Sequence, residues 1–441
     1  MWLRLRQHGM CLLLCAAPSF PQSPPLPGDT FLLRGGVIHT ITGPVLEQGS
    51  ILIRNGKIVG VGRNLSAPEG AVVIDLAGRH VYPGMIDSGA APGLEKPSQD
   101  SSSDAREIGL FNPQLRAATA VNPASEQITA ARANGVTSVV EVPEGDLLGG
   151  QLSLIHLDGS SGDAMALAAS TAVYLRFPAI GTNPVPSHDH DDDDDEPTTA
   201  VDPEPVPYPL AKKAFDDKLT ALRTFFADAR RYRVAKLAKA PDLVRDLRFE
   251  AMLPVLEGAT PLFVAATRER EIRDAIAFAD AQKVRIILAD PYEAYKVLPL
   301  IASRHIPVVL GPTYSLPLHP DDDYDRSFTT PADLYKAGIK FSIATFSSRL
   351  SRNLPYQAAA AVPFGLPHDE AYKAVSINAA EIFGMGKRLG SLDEGKVADL
   401  IVTDGDPLET TTHITQVFIG GKPVSLETRQ KQLYEKYLAR P

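Results

Sequence analysis

His156 is the one histidine beyond the N-terminal leader that falls on a predicted barrel strand; the others lie in turns, in helices or in an acidic run. An imidazole held by a carboxylate is a general base near neutral pH, the carboxylate orienting the ring. Asp158 or Asp290 could supply that carboxylate, and Glu141 stands near the end of another predicted strand. The candidate catalytic set is therefore His156, Asp290 and Glu141. The plainer reading of the same residues is a wall histidine satisfied by hydrogen bonds or turned towards a helix, with Glu141 structural. Arg176, Thr267, Thr345 and Ser347 also sit at predicted strand ends, where a cation and three hydroxyls would bind a substrate. No G-x-S-x-G elbow, P-loop or dinucleotide fingerprint occurs in a supporting context. Both cysteines, Cys11 and Cys15, lie in the leader, which leaves no thiol for nucleophilic, disulfide or zinc-thiolate chemistry in a processed chain.

The elements that must position these side chains follow from hydrophobic periodicity. From Thr30 to Ile74, short β-branched runs alternate with glycine turns, Asn55-Gly56 being a strong hairpin signal. Strands recur near the other end, at Ala398 to Thr403 and Gln416 to Ile419. Between these regions strands alternate with helical patterns, as in a closed parallel barrel. The eight predicted barrel strands are Val81–Asp87, Thr137–Val142, Gln151–Leu157, Thr171–Phe177, Pro261–Ala266, Arg285–Asp290, Pro307–Pro312 and Lys340–Thr345. The fold expected is α/β, a (β/α)8 TIM-type barrel (81–390) with a small β-sandwich built from both chain ends (29–80 and 391–425). A C-terminal helix (426–441) packs outside.

Two stretches carry a family likeness. Val81-Tyr82-Pro83-Gly84-Met85-Ile86-Asp87 and Gly390-Ser391-Leu392-Asp393-Glu394-Gly395-Lys396-Val397-Ala398-Asp399-Leu400 resemble the first barrel strand and the C-terminal signature of the amidohydrolase superfamily, especially its imidazolonepropionase-like branch. The resemblance covers roughly residues 29 to 425. It implies hydrolysis of non-peptide, often cyclic-amide, C–N bonds with zinc or another divalent metal at the C-terminal ends of the strands. It also implies which positions should hold the metal, and here those carry Gly89, Ala91, Ala265, Thr267, Asp290 and Phe346. Of these, only the carboxylate of Asp290 is an ordinary metal donor. The expectation is a protein with no metal centre and no cofactor, catalytically impaired, retaining a ligand pocket at the barrel mouth. Two alternatives are an active C–N hydrolase with a non-standard site and a scaffold subunit for a catalytic paralogue.

With 441 residues, 44% hydrophobic and 22% charged, the chain has the composition of a large globular domain plus a smaller one. Seven acidic residues of the net charge of -9 sit in one run, Asp189 and Asp191 to Glu196, inside a Pro-rich insertion spanning 181–209. Without that run little net field remains to attract nucleic acid or a membrane surface. The insertion reads as self-repelling disorder, and as a surface cation sink in the alternative. Arg4 and Arg6 followed by the apolar Met10 to Ala17 read as a signal peptide before a Pro-rich leader, together 1–28. The expected location is thus periplasmic or extracellular. The expected partners are a small-molecule or peptide-like ligand and, in an assembly, copies of the chain or a catalytic paralogue. No run is long enough to span a bilayer.

Overall fold

A computed structural model describes residues 29–94, 109–181, 205–318 and 320–440. The signal segment and the acidic run of the insertion lie outside the described residues.

Both chain ends enter one eight-stranded sheet. The N-terminal part supplies β1 (Thr30–Ile38), β2 (Leu46–Arg54), β3 (Lys57–Gly62), β4 (Val72–Asp75) and β5 (His80–Pro83). A second sheet forms the barrel wall: β6 (Met85–Ala90), β7 (Val136–Glu141), β8 (Leu148–His156), β9 (Ala166–Arg176), β10 (Leu262–Ala265), β11 (Ile286–Ala289), β12 (Val308–Leu310) and β13 (Phe341–Ile343). The C-terminal part returns as β14 (Leu400–Thr403), β15 (Ile414–Ile419) and β16 (Lys422–Val424), with β14 antiparallel to β5. The first predicted barrel strand is therefore divided at Gly84, its start in one sheet and its end in the other. A Cβ on Gly84 would come within 2.2 Å of the Thr137 hydroxyl, so only glycine lets the chain cross there.

The barrel is not all-parallel, which corrects the expected arrangement. β8 runs antiparallel to both β7 and β9, while the remaining ladders are parallel. The reason is linker length. A parallel return needs a crossover of about a dozen residues or more, and only the short stretch 142–147 separates β7 from β8. The wall closes between its outermost strands where the Phe346 amide donates to the Gly89 carbonyl at 2.8 Å.

Side chains alternate across the wall. Ile86, Val140, Leu154, Tyr174, Phe263 and Val309 point inward and fill the barrel. Val139, Val173, Val264, Leu288 and Ile343 point outward against helix residues such as Phe226, Ile276 and Leu334. Phe226 and Phe263 are fully buried, each contributing roughly 2–3 kcal/mol of hydrophobic stabilisation. Segment 110–116, after the first barrel strand, lies along β8 through bridges at Phe111 and Arg116. The last helix, Arg429–Leu438, buries none of its residues, and an Arg429–Glu126 ion pair links its start to the barrel.

Candidate functional site

Ala265 of β10 lies level with Arg176 of β9 on one side and Ala289 of β11 on the other. These positions form one tier at the C-terminal ends of the strands. Arg176 is half-exposed and reaches Glu144 at 3.6 Å; it also bonds the hydroxyl of Tyr174, two residues earlier on the same face. Burial holds the Tyr174 phenol above its ordinary pKa.

Asp290 follows β11 and by strict alternation would point outward. Its left-handed backbone (φ 47°) breaks the alternation. The carboxylate swings over Gly311, where a Cβ would stand 2.0 Å from Oδ1. Gly311 follows β12 on the same face as the inward Val309, so the Asp290 carboxyl is turned to the barrel mouth. The residue is part-exposed at the rim, but protein crowds its carboxyl, and that burial pushes the pKa up to about 7. No cation among the described residues offsets the cost.

Phe346 also takes a left-handed conformation (φ 46°). Its ring covers Gly89, whose Cβ would meet Cε1 at 2.8 Å, and lies 6.3 Å from the Phe263 ring.

The structure does not bring His156 to this rim. Because β8 is reversed, His156 pairs in register with Ser138, near the start of β7, at the far end of the barrel. Its Nε2 is 2.8 Å from Asp399 Oδ2, and Asp399 Oδ1 accepts the Gly420 amide at 2.7 Å. This is a clasp between barrel and sheet, and it replaces the expected pairing with Asp158 or Asp290. Asp158 instead bonds Arg132 at 2.9 Å. Glu141 is fully buried behind the wall, where Oε1 accepts the Gly93 amide at 3.2 Å and Oε2 has no partner. Burial pushes its pKa up to about 8. Thr345 and Ser347 are buried too. The Thr345 hydroxyl donates to Asp87 at 2.6 Å, and the Ser347 oxygen accepts the Leu350 amide at 3.2 Å. Thr267 is part-exposed, its amide donating to Glu271 at 3.0 Å. Of the residues singled out from sequence, Asp290, Arg176 and Thr267 reach the rim, and His156, Glu141, Thr345 and Ser347 do not. Tyr174 and Gly311 were missed, although Tyr174 was legible as the inward neighbour of Arg176.

Comparison with known proteins decides the family. A sequence model of the amidohydrolase family matches residues 326–424. The solved structure of an amidohydrolase from Thermotoga maritima superposes with a TM-score of 0.75 at 26% identity, covering 90% of this chain and 99% of that one. The chain belongs to the amidohydrolase superfamily. Amidohydrolase tasK of Hapsidospora irregularis is 25% identical over 397 residues, 85% of this chain but 39% of tasK, so the chain spans about two fifths of that relative. Imidazolonepropionase of Thermoplasma volcanium is 31% identical over 118 residues, 25% of this chain and 29% of its own.

A divalent centre in an amidohydrolase barrel needs several donors converging from different strands. At the positions the superfamily implies, Gly89, Ala91, Ala265 and Phe346 offer no side-chain donor and Thr267 only a hydroxyl. Asp290 alone offers a carboxylate. Among the described residues no three His, Cys, Asp or Glu side chains are grouped to hold a metal ion. This donor set does not fit the centre.

Proposed function

We propose that this amidohydrolase-superfamily chain is an exported protein that binds a small molecule at its barrel mouth without the divalent metal of metal-dependent amide hydrolysis. The observation that carries the reading is the Phe346 ring lying where a side chain on Gly89 would begin. A phenyl group stands in the space a first-strand ligand would need, and it cannot coordinate a cation. Asp290 adds one carboxylate without a second to share an ion. Arg176, Tyr174 and Asp290 remain as polar groups able to orient a ligand, while His156 is at the opposite end of the barrel and Glu141 is too buried to take a proton from one. Export rests on the basic and apolar pattern of residues 4–17. Among the described residues no helix is long and apolar enough to cross a membrane.

Metal analysis by inductively coupled plasma mass spectrometry tests the reading. Protein expressed with zinc and manganese supplied is expected to retain less than about a tenth of an equivalent of either after gel filtration, since each absent imidazole removes a metal bond. One tightly held equivalent, still present after deletion of His188 to Glu196, would overturn it.

A further inference from the structure

We propose that the barrel mouth binds a small organic cation, an alkylammonium or guanidinium group, whose charge meets the unpartnered carboxylate of Asp290 at the rim near the part-exposed Ala265 and Phe346. The assignment rests on the reading of the mouth as a metal-free binding site and names the ligand chemistry it selects. Three independent features of the rim support it.

The first is aim. A left-handed residue is needed to turn the Asp290 carboxylate from the outer face to the inner one, and it lands on the one neighbouring position without a Cβ. Asp and Asn tolerate that conformation better than most residues. The second is the missing counter-charge. No side-chain hydrogen bond or ion pair reaches Asp290 from the described residues, although the nearest cation on the tier is two strands away. That cation, Arg176, is already engaged by Glu144 and Tyr174. A crowded carboxylate left without a partner is costly, and a ligand cation forming a charge-assisted hydrogen bond would relieve the cost. The third is the setting. Small residues stand on the adjacent strands, with Ala265 part-exposed beside the buried Ala289, and the part-exposed ring of Phe346 lies on the inner face, an aromatic surface that attracts an organic cation as well as its alkyl part. A ligand anion would meet Arg176 and Glu144 at the exposed edge but would be repelled by Asp290.

Saturation-transfer NMR with n-butylammonium and its neutral isostere n-butanol as probes, at pH 8, tests this on the full chain. Wild-type protein is expected to bind butylammonium saturably and at least about tenfold more tightly than butanol. Asp290→Asn keeps the shape and the left-handed preference and should erase that preference. Gly311→Ala, whose methyl group would occupy the carboxylate's place, should do the same by displacement, so a folding defect in one variant does not decide the matter. The metal content of each preparation is measured alongside. Metal-poor protein that ignores butylammonium, or whose Asp290→Asn form binds it as well as wild type, overturns the cation assignment and leaves the metal-free reading standing. A full equivalent of metal overturns that reading and the cation assignment with it.

Discussion

Glu141→Gln is expected to make the protein more stable in alkaline solution and to flatten the pH dependence of unfolding. In the native chain the Glu141 carboxyl is fully buried with one hydrogen bond, from Gly93, and the nearby Asp87 charge adds to the pressure against ionisation. Its pKa is pushed up to about 8, from a model-compound value of 4.5. The folded form therefore keeps a proton that the unfolded form gives up. For a raised carboxyl pKa, the contribution to stability is complete below the unfolded value and is lost as pH rises through the folded one. Between pH 5.5 and 8.5 this group alone should remove roughly 3–4 kcal/mol. Glutamine has the same shape, can accept the Gly93 amide and has no charge to bury. Its unpaired amide N–H groups cost about 1–3 kcal/mol at every pH, so the variant should be near or below wild type at pH 5.5 and above it at pH 8.5. Urea unfolding at several pH values measures both slopes. Identical slopes would show that Glu141 is not the group responsible.

Asp87→Ala should have the opposite outcome and a comparable size: a loss of roughly 3–5 kcal/mol at pH 7, as expected when several buried donors lose their shared acceptor at once. Asp87 is also fully buried, but four donors converge on it. The amides of Thr345 and Gly89 reach Oδ1 at 3.1 and 3.3 Å, and the hydroxyls of Thr345 and Ser351 reach Oδ2 at 2.6 and 2.9 Å. Burial raises its pKa to about 6 while these bonds pull it down, so it is ionised at neutral pH where Glu141 is not. The donors come from β6 and from the segment after β13, the two edges where the wall closes. Alanine would take the acceptor from two buried amides and from the Ser351 hydroxyl at that seam, while the Thr345 hydroxyl keeps the Ser347 carbonyl at 3.2 Å. Guanidinium unfolding gives the magnitude, and hydrogen exchange at the Phe346 amide, which bonds Gly89 across the seam, should speed up in parallel. A loss below about 1 kcal/mol would mean the seam is held by something other than Asp87.

Much of the architecture was legible because it is written in local terms. β-branched runs with glycine turns marked the sheet built from both ends, and apolar periodicity marked all eight wall strands to within a few residues. Gly89, Ala91, Ala265 and Phe346 could be read as lacking metal donors directly, since a missing atom needs no structure to be missed. The direction of β8 was also open to a reader of linker lengths: too few residues separate Val142 from Gln151 for a helical crossover. Without that step, His156 was assigned to the mouth.

Strand content and the superfamily's scaffold were determined by sequence alone, because side-chain identity and short-range periodicity carry them. Tertiary structure decided where the remaining polar groups face and how they ionise. Asp290 reaches the mouth through one backbone torsion and one bare Gly311, His156 is sent to the opposite end by a reversed strand, and Asp87 and Glu141 separate by how many distant donors each collects. Those outcomes depend on desolvation and on partners tens or hundreds of residues away, which no local window of the chain contains.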